Sequence, residues 1–171
     1  MSPRKTVPTD QSAAATFRRE VSPNERLYLA GARIAGPFAI QLFVDGEGEV
    51  DAERLTAAVA AASATYPGAR LVLDGKQWVD SGVAPPVSVI EGDAEPDEES
   101  PRWRRPLDVH AGPTCEVVVV RRPMRTTVIF RAFHGVMDGK GALIWAHEVW
   151  RAYRDEPSRA TAPHSSPVAP L

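Results

Sequence analysis

From residue 38 to 44 the chain reads Phe-Ala-Ile-Gln-Leu-Phe-Val, with Phe38, Ile40, Leu42 and Val44 on one side of a period-two pattern. That alternation predicts a strand with one face in a core. The period then lengthens. Asp51 stands where an N-cap is wanted, Leu55, Val59 and Ala62 follow along one stripe, and Pro67-Gly68 stop the run, which predicts a helix over about 52–65. Its many alanines permit close approach to a sheet. "ARLVLDGKQWV" holds two short β-like runs around Asp74-Gly75, a dipeptide that tolerates the turn a tight hairpin demands. "PPVSVI" predicts one more strand, and "CEVVVVRR" and "TTVIFRAF" bracket Pro123-Met124-Arg125 as a longer antiparallel pair. After Gly139, Ala142, Leu143, Ala146, Val149, Trp150 and Tyr153 recur at three-and-four spacing, with His147, Glu148, Arg151 and Arg154 opposite. Strand, helix, several strands and a final helix predict an α+β lobe, helices packed on a mixed or largely antiparallel sheet.

The flanks of this pattern lack core-forming residues. Residues 1–20 are polar and alanine-rich, and "DEPSRATAPHSSPVAPL" carries four prolines and three serines. Both read as disordered tails, leaving one lobe over 21–154. Within it, "EGDAEPDEES" (91–100) holds six acids and reads as a solvated loop.

Composition narrows the setting. At 171 residues the chain is about one domain long, and 43% hydrophobic with 25% charged residues is ordinary for a soluble globular protein. No apolar run reaches the length of a membrane span, and the opening residues lack the apolar stretch of a secretion signal. A formal net charge of -2 offers no overall positive field to hold a nucleic acid. The single cysteine, Cys115, excludes an intrachain disulfide and fits a reducing, cytoplasmic setting.

The chemistry concentrates in "FRAFHGVMDGKGALIW" (130–145). A β-rich run stops at His134, and Asp138-Gly139 then turn the chain into the last helix. A histidine leaving a rigid strand end is well placed as a general base, since a neutral imidazole can take a proton from a hydroxyl, amine or thiol as it attacks. The plainer reading is a strand-capping histidine beside an ordinary turn. His110 reads as a turn residue, His147 as part of a polar helix face and His164 as part of the tail, and none of them forms a metal-ligand set. Cys115 opens a strand and reads as a buried, inert thiol. "RWRRP" (102–106) reads as an exposed loop, although its charge would also suit the phosphates of coenzyme A or an acidic carrier protein.

His134, Asp138 and Gly139 match the second half of a His-His-x-x-x-Asp-Gly signature. In this the chain resembles the coenzyme A-dependent acyltransferase superfamily, which includes chloramphenicol acetyltransferase, nonribosomal peptide synthetase condensation domains and polyketide-associated acyltransferases. "GEVDAERLTAAVAAASATYPGARLVL" and "RPLDVHAGPTCEVVVV" are similar to segments that precede the signature, so the likeness runs over about 21–154. It implies a chloramphenicol acetyltransferase-like lobe with no tightly bound cofactor and no metal. His134 would be the base that prepares a hydroxyl or amine to attack the thioester of an acyl-coenzyme A or a carrier protein's phosphopantetheine arm. Asp138 would be structural, paired with an arginine among Arg26, Arg33, Arg70 and Arg131, and Gly139 would keep the turn tight.

Two departures go with the resemblance. Phe133 occupies the first histidine position, and the chain ends where two-lobed members continue. A homo-oligomer could complete the site, as could a partner chain carrying the second lobe. Alternatively the lobe is a non-catalytic module that docks a carrier protein or partner enzyme. A hydrolase in which His134 activates water is a further reading.

Overall fold

The computed structural model describes residues 17–92 and 100–158. Residues 1–16 and 159–171 of the expected tails, residues 93–99 of the acidic segment, and His164 lie outside the described residues. The chain order is β1 (Arg18–Glu20), α1 (Pro23–Ala35), β2 (Ala39–Glu47), α2 (Ala52–Thr65), β3 (Leu71–Asp74), β4 (Gln77–Asp80), β5 (Val87–Glu91), β6 (Cys115–Arg121), β7 (Arg125–Phe133) and α3 (Gly139–Tyr153). A short 3-10 turn, Pro67–Arg70, joins α2 to β3.

α2 forms where the stripe predicts it, with the Asp51 carboxylate accepting from the amides of Glu53 and Arg54. β3 and β4 make the expected hairpin, and Gly75 takes a φ of 60° in its turn. The larger sheet has the order β2-β7-β6-β5, and its pairs are antiparallel except β5 with β6, which run parallel. The expected α+β architecture is therefore the observed one. Among the described residues, no helix is long and apolar enough to cross a membrane.

Both faces of this sheet are covered, and for that reason β6 is apolar at nearly every position. On one face Val117, Val119, Val128, Phe130 and Ala132 meet Leu55 and Val59 of α2 and Trp145, Ala146 and Val149 of α3. Full burial of each large side chain contributes about 1.5–3 kcal/mol, so this layer holds β7 firmly. On the other face Val118, Val120 and Ile129 pack under Trp103 from the "RWRRP" segment.

The structure changes four sequence expectations. Arg18–Glu20, expected in the N-terminal tail, pair with β4 as β1. α1 was not predicted. It begins with a reciprocal capping box, in which Ser22 Oγ accepts from the Glu25 amide and the Glu25 carboxylate accepts from the Ser22 amide, with Pro23 at the first helical position. α3 is rotated from the predicted face: Trp145 and Glu148 are buried, whereas Leu143 is 60% exposed. Glu148 tolerates burial because Ser158 Oγ donates to it and Arg151 lies alongside. Finally, "RWRRP" is clamped to the sheet. Arg131, 1% exposed, donates to the carbonyls of Trp103 and Arg105 and ion-pairs with Glu116, which also takes a two-pronged contact from Arg105.

Candidate functional site

His134 follows the last residue of β7, and two pairings set its backbone. Its amide donates to the Phe38 carbonyl at 2.8 Å, and the amide of Phe133 donates to Thr114 at 2.8 Å. Phe38 is a non-glycine residue with a φ of 43°, a strained conformation. Its ring lies so close to α1 that a Cβ on Gly31 would come within 2.7 Å of it. The turn from α1 into β2 is thus locked against the point where β7 delivers His134.

The imidazole is half-buried and lies against Tyr28 of α1, with ring centroids 4.2 Å apart and planes 17° from parallel. Its Nδ1 is buried without a hydrogen-bond partner. That leaves Nε2 as the ring nitrogen available to a substrate.

Gly135 and Phe133 fix the next part of the chain. A Cβ on Gly135 would lie 2.4 Å from Phe133 Cε1, so only glycine fits beneath this ring. Phe133 is buried and packs near Trp78, with centroids 6.3 Å apart. Phe133, which the resemblance sets at the first histidine of the signature, therefore belongs to the core.

The arginine pair that the resemblance implies for Asp138 is not formed among the described residues. Asp138 is exposed and N-caps α3, accepting from the Gly141 amide at 2.7 Å. Arg70 pairs with Asp80 at 2.5 Å and Arg131 with Glu116, so two of the four candidate arginines are engaged elsewhere. Gly139 is the first helical residue, and a Cβ there would meet nothing within 4 Å. The tight glycines are instead Gly135 and Gly141, the latter 3.1 Å from Met137 Cβ by the same measure.

The remaining polar candidates are not brought to His134. His110 sits in an exposed turn with its ring near the Leu73 carbonyl, and His147 is exposed on α3. Cys115 is fully buried, and burial pushes its thiol up to about 12. Among the described residues no cluster of His, Cys, Asp or Glu is arranged to hold a metal. A cavity of about 300 Å3 opens elsewhere, lined by residues including Leu71, Val72, Pro85, Pro86 and Thr114.

No family model and no curated protein sequence matches the chain. Solved structures do match in fold. The chain is similar to a mutant starter condensation domain of rhizomide synthetase at TM-score 0.67 and 18% identity, covering 81% of this chain and 38% of that one. The condensation domain of the monacolin K polyketide synthase matches at TM-score 0.66 and 16% identity, over 88% of this chain and 37% of that one. The epimerization domain from the third module of tyrocidine synthetase B matches at TM-score 0.66 and 14% identity, over 82% and 35%. The lobe thus has the fold of a condensation-type, chloramphenicol acetyltransferase-like lobe, and the chain spans well under half of the structures it matches. Because an epimerization domain is among them, the fold by itself does not specify the reaction.

Proposed function

We propose that this chain is one lobe of a condensation-type acyltransferase, with His134 as general base in a site that a second lobe completes. The observation that carries the reading is the placement of His134. Rigid, doubly covered β7 delivers the imidazole to the lobe's surface with its Nδ1 facing inward, and by resemblance His134 matches the second histidine of the signature.

In the proposed reaction Nε2 accepts the proton of an acceptor hydroxyl or amine as that group attacks the thioester carbonyl. A C–O or C–N bond forms, the C–S bond breaks, and the imidazolium passes the proton to the departing sulfur, leaving the ester or amide, a free thiol and a neutral imidazole. The donor is an acyl-coenzyme A or an acyl group on a carrier protein's phosphopantetheine arm. No residue is assigned to hold either donor.

Two observations favour an incomplete site. The matched structures are far longer than this chain. The helix that carries Tyr28 also leaves Leu27 70% and Ile34 86% exposed and has no fully buried residue, as expected of a surface covered in a larger assembly. A second lobe would provide that cover.

The test is acceptor-dependent thiol release from acetyl- and octanoyl-coenzyme A and the matching N-acetylcysteamine thioesters, with amine and alcohol acceptors. It is run on the chain in its native assembly. His134→Ala should lower turnover about 10²–10⁴-fold without changing the assembly mass. Undiminished transfer in that variant overturns the mechanism, and thiol release independent of acceptor identifies a thioester hydrolase instead.

A further inference from the structure

We propose that Tyr28 is the positioning residue for His134, its ring face fixing the plane of the imidazole, a task that in most catalytic histidines falls to a hydrogen bond at Nδ1. The proposal rests on the acyl-transfer reading for its kinetic consequence. Its structural part stands independently.

An imidazole attached to a backbone turn can rotate about two side-chain bonds, and only a small part of that range aims Nε2 at a substrate. Usually the other ring nitrogen is bonded to a carbonyl or carboxylate, which selects both tautomer and ring plane. His134 lacks that bond, because its Nδ1 is buried with no partner. The near-parallel Tyr28 ring at 4.2 Å covers one face of the imidazole and restricts its rotation.

Tyr28 can serve this way because α1 is anchored on both sides of it. One turn earlier, the Glu25 carboxylate accepts from the Ser22 amide at 2.7 Å, from Arg19 at 2.9 Å and from Trp78 Nε1 at 3.2 Å. Trp78 is fully buried in β4. Burial pushes the Glu25 carboxyl up, but the bonds from Arg19 and Ser22 and the Arg19 charge outweigh it and hold the group below its ordinary range. At the far end of α1, Phe38 packs on Gly31 while its carbonyl accepts from the His134 amide. Backbone and ring of His134 are therefore referenced to the same helix.

The test compares native protein with Tyr28→Phe, which keeps the ring, and with Tyr28→Leu and Tyr28→Met, which remove it. Relaxation of the His134 Cε1–H bond reads ring order directly, with the signal assigned by its loss in His134→Gln. Native protein and Tyr28→Phe should give an ordered ring on the ps–ns timescale, and both ringless variants should show a clear drop in the order parameter. With three χ1 wells and two χ2 arrangements open, the competent population should drop up to about sixfold. In the transfer assay this should appear in kcat with KM unchanged, and Tyr28→Phe should recover it.

An ordered His134 ring in both ringless variants overturns the proposal. So does a Tyr28→Phe variant as impaired as Tyr28→Leu, which would transfer the role to the hydroxyl. If His134→Ala retains full transfer, the acyl-transfer reading fails, and the relaxation comparison still decides whether Tyr28 orders the ring.

Discussion

Gly135→Ala should destabilise the lobe through a single contact. Gly135 does not have a positive φ, so alanine adds no backbone strain, and the cost is the methyl group alone. That methyl would sit 2.4 Å from Phe133 Cε1 and 3.0 Å from Cδ1, whereas carbon pairs rest at about 3.5–4.0 Å. The ring must therefore retreat by about 1 Å. It is 1% exposed and has Trp78 beside it, so it cannot swing into solvent and the strand end must yield. Overpacking of this kind costs about 1–3 kcal/mol. At about 2–4 °C per kcal/mol for a chain of this length, thermal unfolding followed by circular dichroism should fall by about 2–12 °C. Gly139→Ala is the matched control: it meets nothing within 4 Å and should leave Tm unchanged or raise it slightly. Phe133→Leu clears the clash, so the double variant should show a favourable coupling of at least about 1 kcal/mol. A native Tm for Gly135→Ala, or strict additivity with Phe133→Leu, would refute the packing argument.

Asp138→Ala should lose about 1 kcal/mol as an N-cap is removed, while Asp138→Asn, which keeps the acceptor without the charge, should unfold at nearly the native urea midpoint. A large loss in Asp138→Asn would point back to an ion pair. Arg131→Met strips the donors from the Trp103 and Arg105 carbonyls but leaves Arg105 on Glu116. It should cost about 2–3 kcal/mol by chemical denaturation, less than orphaning a buried charge outright. Cys115, with its thiol pushed up to about 12, is about one part in ten thousand thiolate at pH 8, so Ellman's reagent should label it only after unfolding. The unfolded thiol ionises near 9 and the folded one near 12. Stability relative to Cys115→Ala is therefore fully present below pH 9 and should fall by about 1.4 kcal/mol per pH unit between those values.

The long periodic elements were legible because one force dominates each of them. α2 shows its cap and stripe, and the valine run of β6 cannot be accommodated except in a sheet covered on both sides. α1 was missed because its apolar residues divide between two directions: Tyr28, Leu29 and Ala32 face the lobe, while Leu27 and Ile34 face outward. That division removes a clean stripe, yet Ser22-Pro23-Asn24-Glu25 carried a readable helix start. The face of α3 was misjudged at Glu148, whose charge suggested solvent although Ser158 and Arg151 cover it.

At the site, His134 and the turn after it were visible in the motif, but what holds them was not. Tyr28 lies more than a hundred residues earlier in the sequence, and only the fold brings its ring to the imidazole. Asp138 was assigned a distant arginine on resemblance, whereas its position just before an amphipathic run already matched an N-cap. Gly135 and Gly141 owe their identity to a neighbouring ring and a neighbouring side chain, which no local pattern records.

The most direct test of the central claim is acceptor-dependent transfer from an acyl thioester by the native assembly, with and without His134. The account predicts an acylated amine or alcohol from the native protein and a loss of about 10²–10⁴-fold in His134→Ala at unchanged assembly mass. Equal transfer by the two proteins would contradict it.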